Sequence, residues 1–183
     1  MKLRTDRLEL TQITLQDWPL FLALHQDQEV MAHVRDPMSE AEIRDHFERR
    51  LPPWQQGRDQ WLSLVMTERE SGRPVGITGF RCDWAPNCQA ELGFLLLPEH
   101  QGQGYGFESL EALLDFAFDR CGYHKLTATV TSGNLASAAL LEKAGFQREG
   151  CLREHYRLHG RWHDDWLYGL LAADRAGLGQ QAG

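Results

Sequence analysis

The chain has 183 residues, 42% hydrophobic and 25% charged, with a formal net charge of −7. That length suits one domain around a single core, and the acidic balance argues against bulk binding to nucleic-acid phosphates, which needs clustered Lys and Arg. No apolar run reaches the roughly 18 residues of a membrane span, and residues 1–6 lack a signal-peptide core. The four cysteines (82, 88, 121 and 151) form no C-x-x-C pair, so a disulfide frame or zinc site is not expected and a reducing, cytoplasmic setting fits.

In chain order, residues 8–13 read as a strand with Leu8, Leu10 and Ile13 inward. Asp17 is placed to cap a helix in which Trp18, Phe21, Leu22 and Leu24 keep a helical period. Residues 27–38 look like an irregular polar link, and Ser39 with Glu42 forms a capping box that opens a second helix over 40–51. Three strands follow at 61–66, 74–80 and 89–97, in antiparallel succession around turns at 70–73 and 83–87. A long helix is expected to end near 121, where Gly122 stops it; Phe107, Leu110, Leu114, Ala117 and Cys121 give it one buried face. Residues 125–130 form a strand parallel to its predecessor because a helix separates them. Asn134 caps a helix over 135–144, Gly145 ends it, and Phe146 folds back on it. The stretch 151–171 alternates as two strands around His159-Gly160. This order predicts a mixed α/β (α+β) fold: a central, mostly antiparallel sheet of about six to seven strands flanked by about four helices. One domain is expected over 1–172, with 173–183 a frayed tail.

The stretch between the third antiparallel strand and the long helix carries the strongest chemical signal. Gly102-x-Gly104-x-Gly106 leaves backbone N–H groups free at a helix N-terminus, an anion site suited to a phosphate or pyrophosphate. It is not a dinucleotide fingerprint, because position 107 is Phe and no βαβ repeat surrounds it. Nor is it a Walker A loop, since no Gly-Lys-Ser/Thr follows. Taken alone, the turn is also readable as a tight connection without a ligand.

Gln101-x-x-Gly104-x-Gly106 resembles the pyrophosphate-binding signature of the GNAT superfamily of N-acetyltransferases, and residues 134–146 resemble its second motif. Thr5-Asp6-Arg7-Leu8, Glu91-Leu92-Gly93-Phe94, Glu149-Gly150, Leu152-Arg153 and Gly160-Arg161-Trp162-His163-Asp164 resemble the RimJ/RimL branch, which acetylates N-terminal amines of ribosomal proteins. The resemblance implies a GNAT fold binding acetyl-CoA without a metal. The pyrophosphate would lie on Gln101, Gly102, Gln103, Gly104, Tyr105, Gly106 and Phe107, and the pantetheine arm against Leu95, Leu96 and Leu97, with Asn134, Ser137 and Lys143 as further contacts. The acceptor it implies is a primary amine, in the first place a protein N-terminus of ribosomal-protein type, with a small amine such as a polyamine, amino acid or antibiotic as the alternative. No nucleic acid or membrane partner is implied, and a homodimer stays open.

Two side chains are candidates for the proton transfers that amine attack requires. Glu91 is a carboxylate in an otherwise apolar strand, on the same face as Gly93 and Leu95; partial burial would raise its pKa and suit it to accept a proton. Its alternative is a structural pair with an arginine. Ser137 stands where the RimJ/RimL branch has a serine that hydrogen-bonds the CoA sulfur, whereas the tyrosine acid of many superfamily members is replaced here by Leu141. Ser137 alternatively does no more than bond the helix end. His155, His159 and His163 recur every four residues, but Gly160 breaks the helix that a metal face would need, so they read as hairpin histidines. The competing functional classes are a non-catalytic acyl-CoA-binding module and a nucleotide-binding protein.

Overall fold

The computed structural model describes residues 1–83 and 86–175. Among them, eight strands form one sheet, in the order β1-β2-β3-β4-β5-β6-β8-β7. They are β1 (Lys2–Arg4), β2 (Leu8–Gln12), β3 (Trp61–Glu68), β4 (Pro74–Asp83), β5 (Gln89–Leu96), β6 (Lys125–Thr131), β7 (Gln147–Leu158) and β8 (Arg161–Leu171). The strand beyond the expected set is β1: three residues carry no readable period, and pairing with β2 through Leu3↔Leu10 defines it. Every neighbouring pair is antiparallel except β5 and β6, which a crossover helix makes parallel.

The helices are α1 (Trp18–Gln26), α2 (Gln28–Met31), α3 (Glu40–Glu48), α4 (Tyr105–Asp115) and α5 (Leu135–Lys143). The first three cover one face, burying Phe21, Leu24, Ile43 and Phe47 against Val65 and Ile77. The last two cover the other, where Leu110, Leu114, Ala117 and Leu141 join Leu62, Leu64, Phe80 and Leu126. The expected buried face of the long helix holds through Leu110, Leu114, Ala117 and Cys121, although the helix widens into a π turn over Phe116–Arg120 before Gly122.

Local chemistry explains most boundaries. The Ser39 box forms as the spacing predicts, with Ser39 N–H donating to Glu42 Oε2 at 2.8 Å and Glu42 N–H to Ser39 Oγ at 3.3 Å. At the end of α5, Phe146 N–H reaches Leu141 O and Gly145 N–H reaches Glu142 O, both at 3.0 Å, which is a Schellman motif with Phe146 buried. Two expectations change. Asp17 does not cap α1; its carboxylate accepts from Thr14 N–H at 2.7 Å and closes the short turn before the helix. The link over 27–38 is not irregular throughout, because Asp27 accepts from the N–H groups of Glu29 and Val30, both at 2.9 Å, and starts α2. The expected frayed tail over 173–183 begins ordered, because residues 172–175 form a helical turn and Arg175 holds Glu111 at 2.9 Å and Asp115 at 2.8 Å on α4. Residues 176–183 lie outside the described residues.

Gly79 sets the closest approach in the sheet. A Cβ there would sit 1.8 Å from the Leu62 carbonyl oxygen, and backbone cannot step aside as a flexible side-chain tip can. Gly79→Ala should therefore destabilise the fold by more than about 3 kcal/mol, beyond the usual range for overpacking. Urea unfolding followed by tryptophan fluorescence checks this; an unchanged midpoint would mean that β3 and β4 are not held this tightly.

Candidate active site

The site starts from a sheet that opens. The parallel pair β5 and β6 matches residues only at Gln89↔Lys125, Ala90↔Leu126 and Glu91↔Thr127. Beyond Glu91 the two strands part, while β5 stays paired to β4 as far as Gly76↔Leu96. One edge of Leu92–Leu96 is thus left without a strand partner, and a cavity of about 1090 Å³ fills the gap.

The glycine turn stands at the mouth of that gap. Gly104 is the N-cap of α4 with φ +85°, a conformation L residues avoid, and no side chain caps this helix. The first-turn N–H groups therefore have no intrahelical acceptor. The turn is clamped from the N-terminal segment. Arg7 Nη1 donates to Gln103 O at 2.9 Å, its Nε meets Glu108 Oε2 at 2.7 Å, and its guanidinium lies 4.5 Å from the Tyr105 ring centroid. Glu108 also accepts from Thr5 Oγ1 and, at 2.8 Å, from Arg7 N–H. Burial pushes the Glu108 carboxyl up, but these hydrogen bonds outweigh it and hold it below the usual carboxylate range.

Most of the residues singled out in the sequence meet around this cavity: Leu95, Leu96, Gln101, Gly102, Gly104, Tyr105, Gly106, Phe107, Asn134, Ser137 and Lys143 all line it. Tyr105 does so while its hydroxyl bonds Glu68, so its side chain is committed to the fold. Asn134 Oδ1 accepts from Ser137 N–H at 3.1 Å, which caps α5; Ser137 lines the cavity, and no hydrogen bond engages its hydroxyl among the described residues. Lys143 Nζ sits 4.1 Å from the Phe107 ring centroid.

Three expected site residues are not in the lining. Leu97 packs with the α1–α3 core, and Gln103 turns outward, its amide bonded to Glu99 O at 2.6 Å. Glu91 is the larger correction. It lines a second, smaller cavity with Asp59, Arg81, Asp83 and Thr127, opposite Arg81 in the sheet register. Gly93 lies between Glu91 and Leu95 on their shared face, and the Trp61 ring covers it, 3.1 Å from where a Cβ would be. Glu91 touches the large cavity only through Thr129, whose Oγ1 donates to Glu91 Oε1 at 3.0 Å.

Sequence reading missed four residues that the fold brings into the cavity: His25, Arg35, Arg50 and Asp165. Asp165 is 5% exposed; Oδ2 bonds His155 Nδ1 at 2.8 Å, and Oδ1 is buried without a hydrogen-bond partner. It is a buried carboxylate with one open acceptor, which is costly unless a donor arrives. The only signal in the sequence was a charged residue inside the alternating tail. Arg35 and Arg50 sit at either end of the link and helix that were least readable. The other two histidines of the tail are accounted for locally: His159 meets Asp36 at 3.3 Å from the hairpin turn, and His163 pairs with Tyr156 in the ladder.

The sequence matches the family profile described as an acetyltransferase (GNAT) domain over residues 7–147. The chain therefore belongs to the GNAT family of acetyltransferases, and it is an N-acetyltransferase. It is 28% identical over 177 residues to the uncharacterized N-acetyltransferase p20 of Bacillus licheniformis, covering 96% of this chain and 98% of that one. It is 35% identical over 75 residues to the spermidine N(1)-acetyltransferase of Vibrio cholerae, a stretch covering 41% and 43% of the two chains. Its fold matches the crystal structure of a spermidine N-acetyltransferase from Vibrio cholerae in complex with CoA and spermine, with a TM-score of 0.83, 21% identity and coverage of 94% and 99%.

His25 supplies a pH test of the cavity wall. It stacks on Phe21 at 3.9 Å between centroids, and Nδ1 donates to Phe21 O at 2.8 Å. Burial, aided by Arg35, Arg50 and His46, pulls its pKa from 6.5 to about 4 against the favourable hydrogen bond. The unfolded chain then takes up a proton near 6.5 that the folded chain refuses until about 4, so acid favours unfolding across that window. Stability should be insensitive to this group above 6.5 and fall by on the order of 2 kcal/mol towards pH 4.5. Denaturation of wild type and His25→Phe at pH 7.5, 6 and 5 checks it; an equal loss in both would assign the acid sensitivity elsewhere.

Proposed function

We propose that the protein transfers acetyl from acetyl-CoA to a small primary amine, by direct attack in a ternary complex. The observation that carries this reading is the unpaired edge of Leu92–Leu96, opening into the same cavity as the uncapped glycine turn, Ser137 and Asp165. The turn and the N-terminus of α4 suit a pyrophosphate, and the open edge suits an amide-bearing pantetheine arm that adds as a strand. A backbone N–H of that edge is a donor for the oxyanion that forms when nitrogen attacks the carbonyl carbon.

Nitrogen must give up two protons overall, and the breaking C–S bond leaves a thiolate that takes one. Asp165, with its open Oδ1, is our candidate to hold the incoming ammonium and accept the first proton. The Ser137 hydroxyl is the candidate to hydrogen-bond the departing sulfur. Glu91 is reassigned to holding Thr129 and facing Arg81.

A small acceptor is favoured over a protein N-terminus, the RimJ/RimL type of substrate, by two things. The acceptor end is walled by Phe21, His25, Glu29, Val30 and His33, and relatives are named as spermidine acetyltransferases.

Thiol release from acetyl-CoA against polyamines, amino acids, aminoglycosides and N-terminal peptides tests the reading. Asp165→Asn should lower kcat/KM by roughly 100-fold or more, the scale of a lost general base. Ser137→Ala should lower kcat while acetyl-CoA affinity stays within about twofold, and Glu91→Gln should stay within about threefold of wild type on the same scale. Wild-type rates in Asp165→Asn would remove Asp165 from the mechanism.

A further inference from the structure

We propose that Arg35 and Arg50 form an anion subsite in the acceptor half of the cavity, so that the acceptor is a primary amine that also carries a carboxylate, of amino-acid type, rather than a polycation. This rests on the acetyl-transfer reading above. Both arginines line the cavity. Arg50 Nη1 donates to Ser63 Oγ at 3.1 Å, and its guanidinium lies 4.3 Å from the Trp61 ring centroid. Arg35 Nη1 reaches only Met38 Sδ at 3.3 Å, and its Nε is buried with no hydrogen-bond partner.

Neither arginine is within ion-pair distance of a carboxylate among the described residues. Arg4, Arg7, Arg49, Arg81 and Arg175 each hold an acidic partner; other arginines, Arg69 and Arg148 among them, hold none, but Arg35 and Arg50 are the two arginines that line the cavity among the described residues. Two carboxylates do line the cavity, Asp165, with Oδ2 on His155 and Oδ1 open, and Glu29, but among the described residues neither is at ion-pair distance from Arg35 or Arg50. The other titratable neighbours, His25 and His46, add no negative charge. Burial and the nearby Arg35 lower the Arg50 pKa to about 10, which still leaves it charged at neutral pH. Two half-buried guanidinium groups that feel each other's charge, with no carboxylate at ion-pair distance among the described residues, are stabilised when an anion arrives, and their planar forks match a carboxylate.

The anion is not a phosphate of CoA by position. Arg50 stands over Trp61 and Ser63, which register through Arg81 and Gly79 to Glu91 and Gly93, on the α1–α3 face. The glycine turn follows the far end of β5 and opens α4 on the opposite face. A polyamine would instead bring a second ammonium towards two guanidinium groups, which repel it.

The test compares alanine, methionine and phenylalanine with their carboxamides, and with spermidine, in the thiol-release assay. The carboxamide has the less basic amine, so amine availability alone favours it at neutral pH. We expect each free acid to exceed its carboxamide in kcat/KM by about tenfold or more, and spermidine to be poorer than the acids. Arg35→Gln should raise KM for the acids about tenfold and leave the carboxamides within twofold on the same scale, with Arg35→Lys recovering part of the loss. Equal or better turnover of carboxamides or spermidine overturns the subsite and leaves acetyl transfer standing. So does an equal loss for acid and carboxamide in Arg35→Gln with an unchanged melting temperature. No thiol release with any amine overturns both.

Discussion

The structure depends on one parallel strand pair that stops early. β5 and β6 are joined by an α-helical crossover and stay in register for only three residue pairs. Backbone groups beyond Glu91 then lie along a cavity with no neighbouring strand to pair with, a state that is costly in a buried setting unless water or a ligand supplies the missing partners. An amide-bearing chain threaded through the gap would complete the sheet. The rest of the fold keeps that gap open: β4 holds β5 from one side, β8 holds β6 from the other, and α4 and α5 prop the two halves from the same face.

Charge around the gap is sorted by position. At the mouth, Arg7 and Thr5 bind Glu108 and Arg7 holds the glycine turn, so the charge of Arg7 is paired and the first-turn N–H groups of α4 have no side-chain cap. Deeper in, Arg35 and Arg50 lack acidic partners and Asp165 keeps one oxygen open. The paired Arg7 and Glu108 belong to the frame, whereas Arg35, Arg50 and the open oxygen of Asp165 border the cavity.

The fold was legible where a local rule has no competitor. The Ser39 capping box, the end of α5 at Gly145, the hairpin at His159-Gly160 and the buried face of α4 all rest on contacts within a few residues. Reading failed where the deciding contact is remote or very short. The three residues of β1 are a strand only because β2 is there, and α2 is a single turn started by Asp27. Glu91 shows the same limit inside the site. Alternation put it correctly on the face of Gly93 and Leu95, but alternation carries no information about Trp61, thirty residues earlier, which lies over Gly93, or about the second cavity that Glu91 lines.

By itself, then, the sequence determined the succession of elements and the glycine turn that opens α4, because glycines, caps and hydrophobic periods act over one or two turns of chain. Its motifs, taken together, were enough to point to acetyl-CoA. Only the tertiary structure decided which carboxylate and which arginines stand in the cavity. Asp165 on β8, Arg35 before α3 and Arg50 after it share no local pattern. They are brought together by the packing of α1–α3 over the sheet and by the order of β6, β8 and β7, contacts that lie far apart in the chain.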